Sequence, residues 1–259
     1  MPGRPIRIAA QLHPQQGPFA NLRAAARRAD ELGYDIVYTW DHFFPLYGDR
    51  DGEHYECFTT LAAFAQVTER AEIGPLVACN SYRNPQLVAD MARTIDHISG
   101  GRFILGLGSG WKERDYDEYG YEFGTPGSRL ADLAEALPRI TNRWAKLNPP
   151  PTRDIPILIG GGGERKTLRL TAQYANTWHG FGNAETLIHK KAVLDRWCAE
   201  IGRDPSEIER STSTRRPPSE VADGLAKAGI GMVVIPMEAG DTDGALALAR
   251  QWLQWRDTA

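Results

Sequence analysis

Four stretches of this sequence combine residue types that could do chemistry. The first is Trp40-Asp41-His42-Phe43. Histidine exchanges protons near neutral pH, and a neighbouring carboxylate tunes its charge and orientation, which makes His42 and Asp41 candidates for a proton-transferring pair. A solvated pair or a capping aspartate is the simpler use of the same two residues. The second is Gly106-Leu107-Gly108-Ser109-Gly110-Trp111. Alternating glycines either let a flat ligand approach the backbone or only make a tight turn. A dinucleotide fingerprint is excluded, because Trp111 stands where a third glycine is needed.

The third stretch runs from Ile157 through Gly160, Gly161, Gly162 and Gly163 into a helical pattern with Lys166 and Thr167. Free amides at a helix start attract phosphate. The nucleoside-triphosphate loop requires glycine before its lysine, and Arg165 is there instead. The fourth is Leu76-Val77-Ala78-Cys79-Asn80-Ser81-Tyr82-Arg83-Asn84-Pro85. Asn80 and Ser81 suit the polar edge of a ring, or ordinary strand-end turn chemistry. Arg215 and Arg216 could meet an acidic tail or stay solvated, and Lys190-Lys191 reads as a solvated helix face.

The elements that must position these residues follow from hydrophobic patterning. Short apolar runs cover 6–11, 36–38, 73–78, 103–108, 157–159, 176–179, 211–214 and 232–236. Continuous rather than alternating apolarity suits parallel strands buried on both faces. Helical patterns lie between them at 21–32, 128–146, 164–174, 184–201, 219–227 and 243–256, with a further helix entered through Asn84-Pro85 and ending at Ser99-Gly100-Gly101. Eight strand–helix alternations over 259 residues predict an α/β fold, one (β/α)₈ TIM barrel spanning 1–259. Pro149, Pro150 and Pro151 read as a stiff connector into the fifth strand.

Chemistry in such a barrel belongs to the loops after the strand C-termini. The second (41–56) and fourth (111–127) are the longest, and length marks them as lids. Phe43, Phe44, Tyr47 and Tyr55 in one, and Trp111, Tyr116, Tyr119, Tyr121 and Phe123 in the other, could stack on a planar ligand or pack the loops themselves.

Composition narrows the class. A net charge of −3 marks no surface for nucleic acid or anionic lipid, which leaves a small molecule as the expected partner. Cys57, Cys79 and Cys198, an odd set without a Cys-x-x-Cys unit, fit a reducing cytoplasm. No signal-peptide core is visible in residues 1–16, and no run approaches the roughly 20 apolar residues of a membrane span. No His-x-His follows the first strand, so no metal site is expected.

In their order, Trp40-Asp41-His42, Asn80-Ser81-Tyr82-Arg83-Asn84-Pro85, Ser99-Gly100-Gly101-Arg102 leading into Gly106 to Trp111, and 156–163 followed by Lys166-Thr167-Leu168 carry a resemblance. Over roughly residues 6–180 the chain resembles the luciferase-like monooxygenase superfamily, particularly its deazaflavin-dependent oxidoreductases. The resemblance implies a bacterial-luciferase-like barrel with coenzyme F420 in its mouth, FMN being the alternative, and hydride transfer between the deazaflavin C5 and a small organic substrate. It places His42 beside the reactive ring as proton carrier, with Asp41 orienting it or stabilising its charge. It maps a non-proline cis peptide to Leu76–Val77, sets Ser109, Gly110 and Trp111 along the ring, and gives the phosphate to Gly160, Gly161, Gly162, Gly163, Lys166 and Thr167. Gln11, Asn80, Ser81, Gly108 and Trp178 complete the implied cofactor-binding set. A flavin monooxygenase using dioxygen and a non-catalytic cofactor carrier are the rival functions. Two departures count: Trp111 replaces the glutamate of the sugar-phosphate dehydrogenase branch, with Glu113 no assured equivalent, and 146–155 leaves little room for the insertion of larger relatives. Homodimerisation is an option among relatives, for which no residue pattern here argues.

Overall fold

The structure, a computed structural model, describes residues 6–238 and 242–258; the ends of the expected domain, 1–5 and 259, lie outside it, as does 239–241. Along the chain run β1 (Arg7–Leu12), α1 (Phe19–Leu32), β2 (Ile36–Thr39), α2 (Cys57–Val67), β3 (Glu72–Pro75), β4 (Ala78–Cys79), α3 (Pro85–Ser99), β5 (Leu105–Gly108), α4 (Glu113–Tyr119) and α5 (Pro126–Trp144). Then follow β6 (Ile157–Gly160), α6 (Thr167–Tyr174), β7 (Thr177–Gly180), α7 (Ala184–Glu200), β8 (Glu209–Ser213), α8 (Pro218–Lys227), β9 (Met232–Met237) and α9 (Thr242–Thr258).

The strands form one parallel sheet in the order β3-β2-β1-β9-β8-β7-β6-β5-β4. β3 and β4 are halves of the single third strand expected from 73–78. They are interrupted at Leu76–Val77, whose peptide is cis, as is Asn148–Pro149. Below the interruption the ring closes: Ile73 N–H donates to Arg102 O (2.9 Å) and Ile104 N–H to Ile73 O (2.8 Å). Among the described residues nine strand segments therefore fill eight barrel positions, and the fold is the expected TIM barrel.

Strand parity sorts the core into two layers. Ala9, Ile36, Tyr38, Leu76, Ile104, Leu158, Met232 and Val234 fill the barrel. Their strand neighbours, including Ile8, Val37, Ile73, Leu105, Ile157 and Val233, pack outward with the helices. Helix ends follow local chemistry. Gly33 closes α1 in the left-handed conformation, donating to Ala29 and Asp30 carbonyls, and Asn84 caps α3 ahead of Pro85. α6 begins at Thr167, three residues beyond the expected 164, because the chain after the glycines makes a further turn over 164–166. α2 and α4 are not expected from the pattern; α4 folds inside the fourth lid loop.

Candidate active site

At the C-terminal end of the strands a cavity of about 370 Å³ opens between the two long loops. Its floor is the Leu76–Val77 interruption. Gln11, at the inward end of β1, reaches under it and donates from Nε2 to Leu76 O (2.8 Å). Gly108, Ser109, Gly110 and Trp111 form one wall, and Gly160 and Gly161 the adjoining one. The glycines do something not foreseen: a Cβ on Gly108 would stand 2.6 Å from Val77 Cγ2, and one on Gly160 3.0 Å from Val77 Cγ1. They make room for the Val77 side chain, and the cavity lies over that assembly.

His42 lies at the mouth, meeting Trp111 edge-on at 5.7 Å. Its partner is Asp115 of α4: Nδ1 and Asp115 Oδ2 are 2.6 Å apart. The same oxygen accepts from Tyr82 OH (3.0 Å), and Oδ1 accepts from Phe43 N–H (3.3 Å). Asp115 is fully buried. Burial alone would raise its pKa, but the bonds from His42, Tyr82 and Phe43 outweigh it and hold the carboxyl below its usual range. An ionised carboxylate only accepts, which assigns the imidazole proton to Nδ1 and leaves Nε2 to exchange a proton at the mouth.

This corrects the role given to Asp41. Asp41 lines the cavity, but its carboxylate faces away from His42. It takes a bidentate pair from Arg83 (Nη1–Oδ2 2.6 Å, Nη2–Oδ1 2.9 Å) and accepts from Cys79 N–H (2.9 Å). Arg83 continues to Glu56 Oε1 (2.6 Å), which caps α2 through Phe58 and Thr59 N–H. Consecutive side chains diverge at the end of β2, so Asp41 ties that strand to the turn after β4 while His42 turns to α4.

Other expected site residues scatter. Asn80 and Ser81 line a different depression, with Tyr121 and Glu122, because the chain turns sharply at 80–82 and sends Tyr82 toward the cavity instead. Trp178 is fully buried in the outer layer, its Nε1–H donating to Gly161 O (2.8 Å). Strand parity gives the cavity to its neighbour His179, together with Phe181 and Ser213. Gly162 and Gly163 lie beyond the cavity wall, Thr167 is buried, and exposed Lys166 reaches Gly127 O (3.4 Å). Arg215 pairs with Glu238 (2.7 Å) and Arg216 with Glu220 (2.9 Å), both outside the lining. Lys190, read as solvated, is part-buried on Glu164 (2.7 Å).

The lid aromatics mostly serve the loops. Phe43 stacks on Tyr119 (3.9 Å between centroids), the Arg114 guanidinium covers Phe44 (4.0 Å), and Arg114 also pairs with Asp51. Of the aromatics expected to meet a ligand, Tyr47 and Trp111 face the cavity, joined by Trp40. Sequence reasoning missed Asp115, Tyr82, His179 and Ser213 as site residues. Inward parity on β7 and β8 would have found the last two.

A barrel mouth with a glycine-walled slot over an interrupted third strand, flanked by a buried His–Asp pair, is the candidate active site. The chain belongs to the luciferase-like monooxygenase family, whose model matches residues 4–224. Among similar proteins is an F420-dependent glucose-6-phosphate dehydrogenase of Amycolatopsis mediterranei, 32% identical over 167 residues, covering 58% of this chain and 49% of that one. Another is the pyrimidine monooxygenase RutA of Stutzerimonas stutzeri, 30% identical over 215 residues, covering 73% and 59%. The chain thus spans about half to three-fifths of the length of these relatives. The fold matches an F420-dependent secondary alcohol dehydrogenase solved with an F420-acetone adduct (TM-score 0.83, 18% identity, 95% and 97% of the two chains). It also matches EDTA monooxygenase EmoA of Chelativorans sp. BNC1 (TM-score 0.84, 11% identity, 98% and 94%).

Proposed function

We propose that the chain is an oxidoreductase moving a hydride between C5 of a deazaflavin of the coenzyme F420 type and a small organic substrate. The observation that carries this reading is the buried His42–Asp115 pair opening onto a slot walled by 108–111 and 160–161. Such a slot, floored by Leu76 and Val77, fits a planar ring, and the ring when bound supplies the hydride chemistry that protein side chains lack. Gly108, Ser109, Gly110, Gly160 and Gly161 would hold it, with Gly162, Gly163, Lys166 and Thr167 just beyond for a phosphate-bearing tail.

His42 moves the paired proton at Nε2, and Asp115 holds the imidazole and stabilises its charged form. Asp41 positions the strand end that presents His42. No lysine or arginine lines the cavity among the described residues. Together with Trp111 in place of a glutamate, this supports an uncharged substrate over a sugar phosphate. The three buried free cysteines support a reducing, cytoplasmic setting. The match to a monooxygenase over 73% of the chain favours one second reading, a flavin enzyme using dioxygen.

Equilibrium titration with F420 and with FMN, read by ring fluorescence, separates them. F420 should bind at least about tenfold more tightly, and His42→Ala should keep binding while lowering turnover by about 10²-fold or more. Tighter FMN binding, or full turnover in His42→Ala, overturns the proposal.

A further inference from the structure

The far wall of the cavity carries a chain of hydrogen bonds whose polarity can be read link by link. It begins at Trp178 O, a carbonyl that only accepts; Ser211 Oγ lies 3.1 Å away and must donate to it. A hydroxyl has one proton, so Ser211 can only accept from its next neighbour, His179 Nδ1 at 2.9 Å. That places a proton on Nδ1. His179 is 2% exposed, and no carboxylate among the described residues is bonded to it. Burial pushes the imidazole down to about 4, so the ring is neutral at physiological pH and Nε2 carries a lone pair. Ser213 Oγ, 3.3 Å from Nε2, completes the chain and must donate. Its single proton is thereby committed inside the wall, while Ser213 itself faces the cavity.

We propose that Ser213 presents the cavity with a hydrogen-bond acceptor and no donor, selecting a ligand that offers a neutral O–H or N–H at that point. A serine is ordinarily ambivalent; this one is made single-valued by the Trp178 carbonyl through Ser211 and His179. The proposal rests on the cavity being the ring and substrate site proposed above. Two sources share the donor chemistry: an imide N–H or side-chain hydroxyl of a ring cofactor, and a hydroxyl of an alcohol substrate.

The polarity is tested on the full chain without ligand, by ¹⁵N NMR of labelled histidine between about pH 5.5 and 8, a window in which an ordinary imidazole would titrate. His179 should stay neutral as the Nδ1–H tautomer, and Ser213→Ala should move its Nε2 resonance while leaving Nδ1 protonated. An Nε2–H tautomer, or an imidazolium, overturns the proposal. The ligand is tested by titrating native, Ser213→Ala and Ser213→Thr chains with F420 and with FMN. One lost neutral hydrogen bond should weaken affinity about 3- to 10-fold in Ser213→Ala, with recovery in Ser213→Thr. If the change falls on cofactor Kd, the donor belongs to the cofactor; if it falls on substrate KM more than on kcat, it belongs to the substrate. No change in either overturns the proposal. Binding of neither ring by the native chain overturns the proposed function, and the tautomer measurement, which needs no cofactor, then decides this one.

Discussion

The substitution Asp115→Asn keeps the shape of the side chain but not its hydrogen-bonding capacity. Asp115 Oδ2 accepts from both His42 and Tyr82, and Oδ1 from Phe43 N–H. An amide has one acceptor oxygen, so whichever way the new side chain is turned, its NH₂ faces at least one donor. If the oxygen stays with His42 and Tyr82, the NH₂ confronts Phe43 N–H; if it is flipped, His42 loses its anchor; in either orientation the counter-charge is gone. A hydrogen bond to a charged group is worth about 1.5–3 kcal/mol, which converts to roughly a 10- to 150-fold loss in kcat/KM for a step in which His42 carries the proton. The loss should fall on kcat, since Asp115 does not line the cavity, and cofactor Kd should stay within about twofold of native. Kd comes from fluorescence titration, and kcat from ring absorbance with a panel of small alcohols and carbonyls. The His42 Nδ1 proton, followed by NMR, gives a readout that needs no substrate. Turnover within about threefold of native, with that proton unchanged, would refute a positioning role for Asp115.

Three further outcomes follow from the packing and charge. Gly108→Ala drives a Cβ to 2.6 Å from Val77 and should cost about 1–3 kcal/mol in urea unfolding and weaken ring binding, with Gly160→Ala, at 3.0 Å, milder in both. Arg83→Met leaves the Asp41 carboxylate buried without its counter-ion and should destabilise by about 3–5 kcal/mol, part of which Asp41→Asn returns in the double variant; additive losses would show that the two are not coupled. His13, His54 and His179 are all pushed down to about 4, each chiefly by burial, with the Arg215 charge adding to the effect on His13 and the His42 charge to that on His54. Unfolded histidines titrate near 6.5, so between about pH 6.5 and 4 the unfolded chain binds more protons and stability falls as pH falls. Near pH 5.5 unfolding should take up roughly two to three protons, measurable from the pH dependence of the urea midpoint; a flat profile there contradicts the burial of these rings.

The barrel was legible because buried parallel strands leave short apolar runs, and each run found its strand within a residue or two, the weak one at 211–214 included. The interruption of the third strand was not legible from pattern, since Leu76 and Val77 are as apolar as the strand they break. Within the site, position along a strand was readable but direction was not. Trp178 and His179 are adjacent, and only the sheet register decides that the imidazole enters the barrel while the indole packs outward. Asp41 beside His42 looked like a pair because sequence shows neighbours, whereas the actual partner, Asp115, is 73 positions away on a helix inside a stretch that read as loop.

That helix also joins the two flaps above the cavity. Phe43 lies on Tyr119, Arg114 grips Phe44 and Asp51, and Asp115 holds the Phe43 amide. Neither flap can lift without peeling off the other. Opening of the two segments should therefore be one event, with amide exchange in both rising and falling in step.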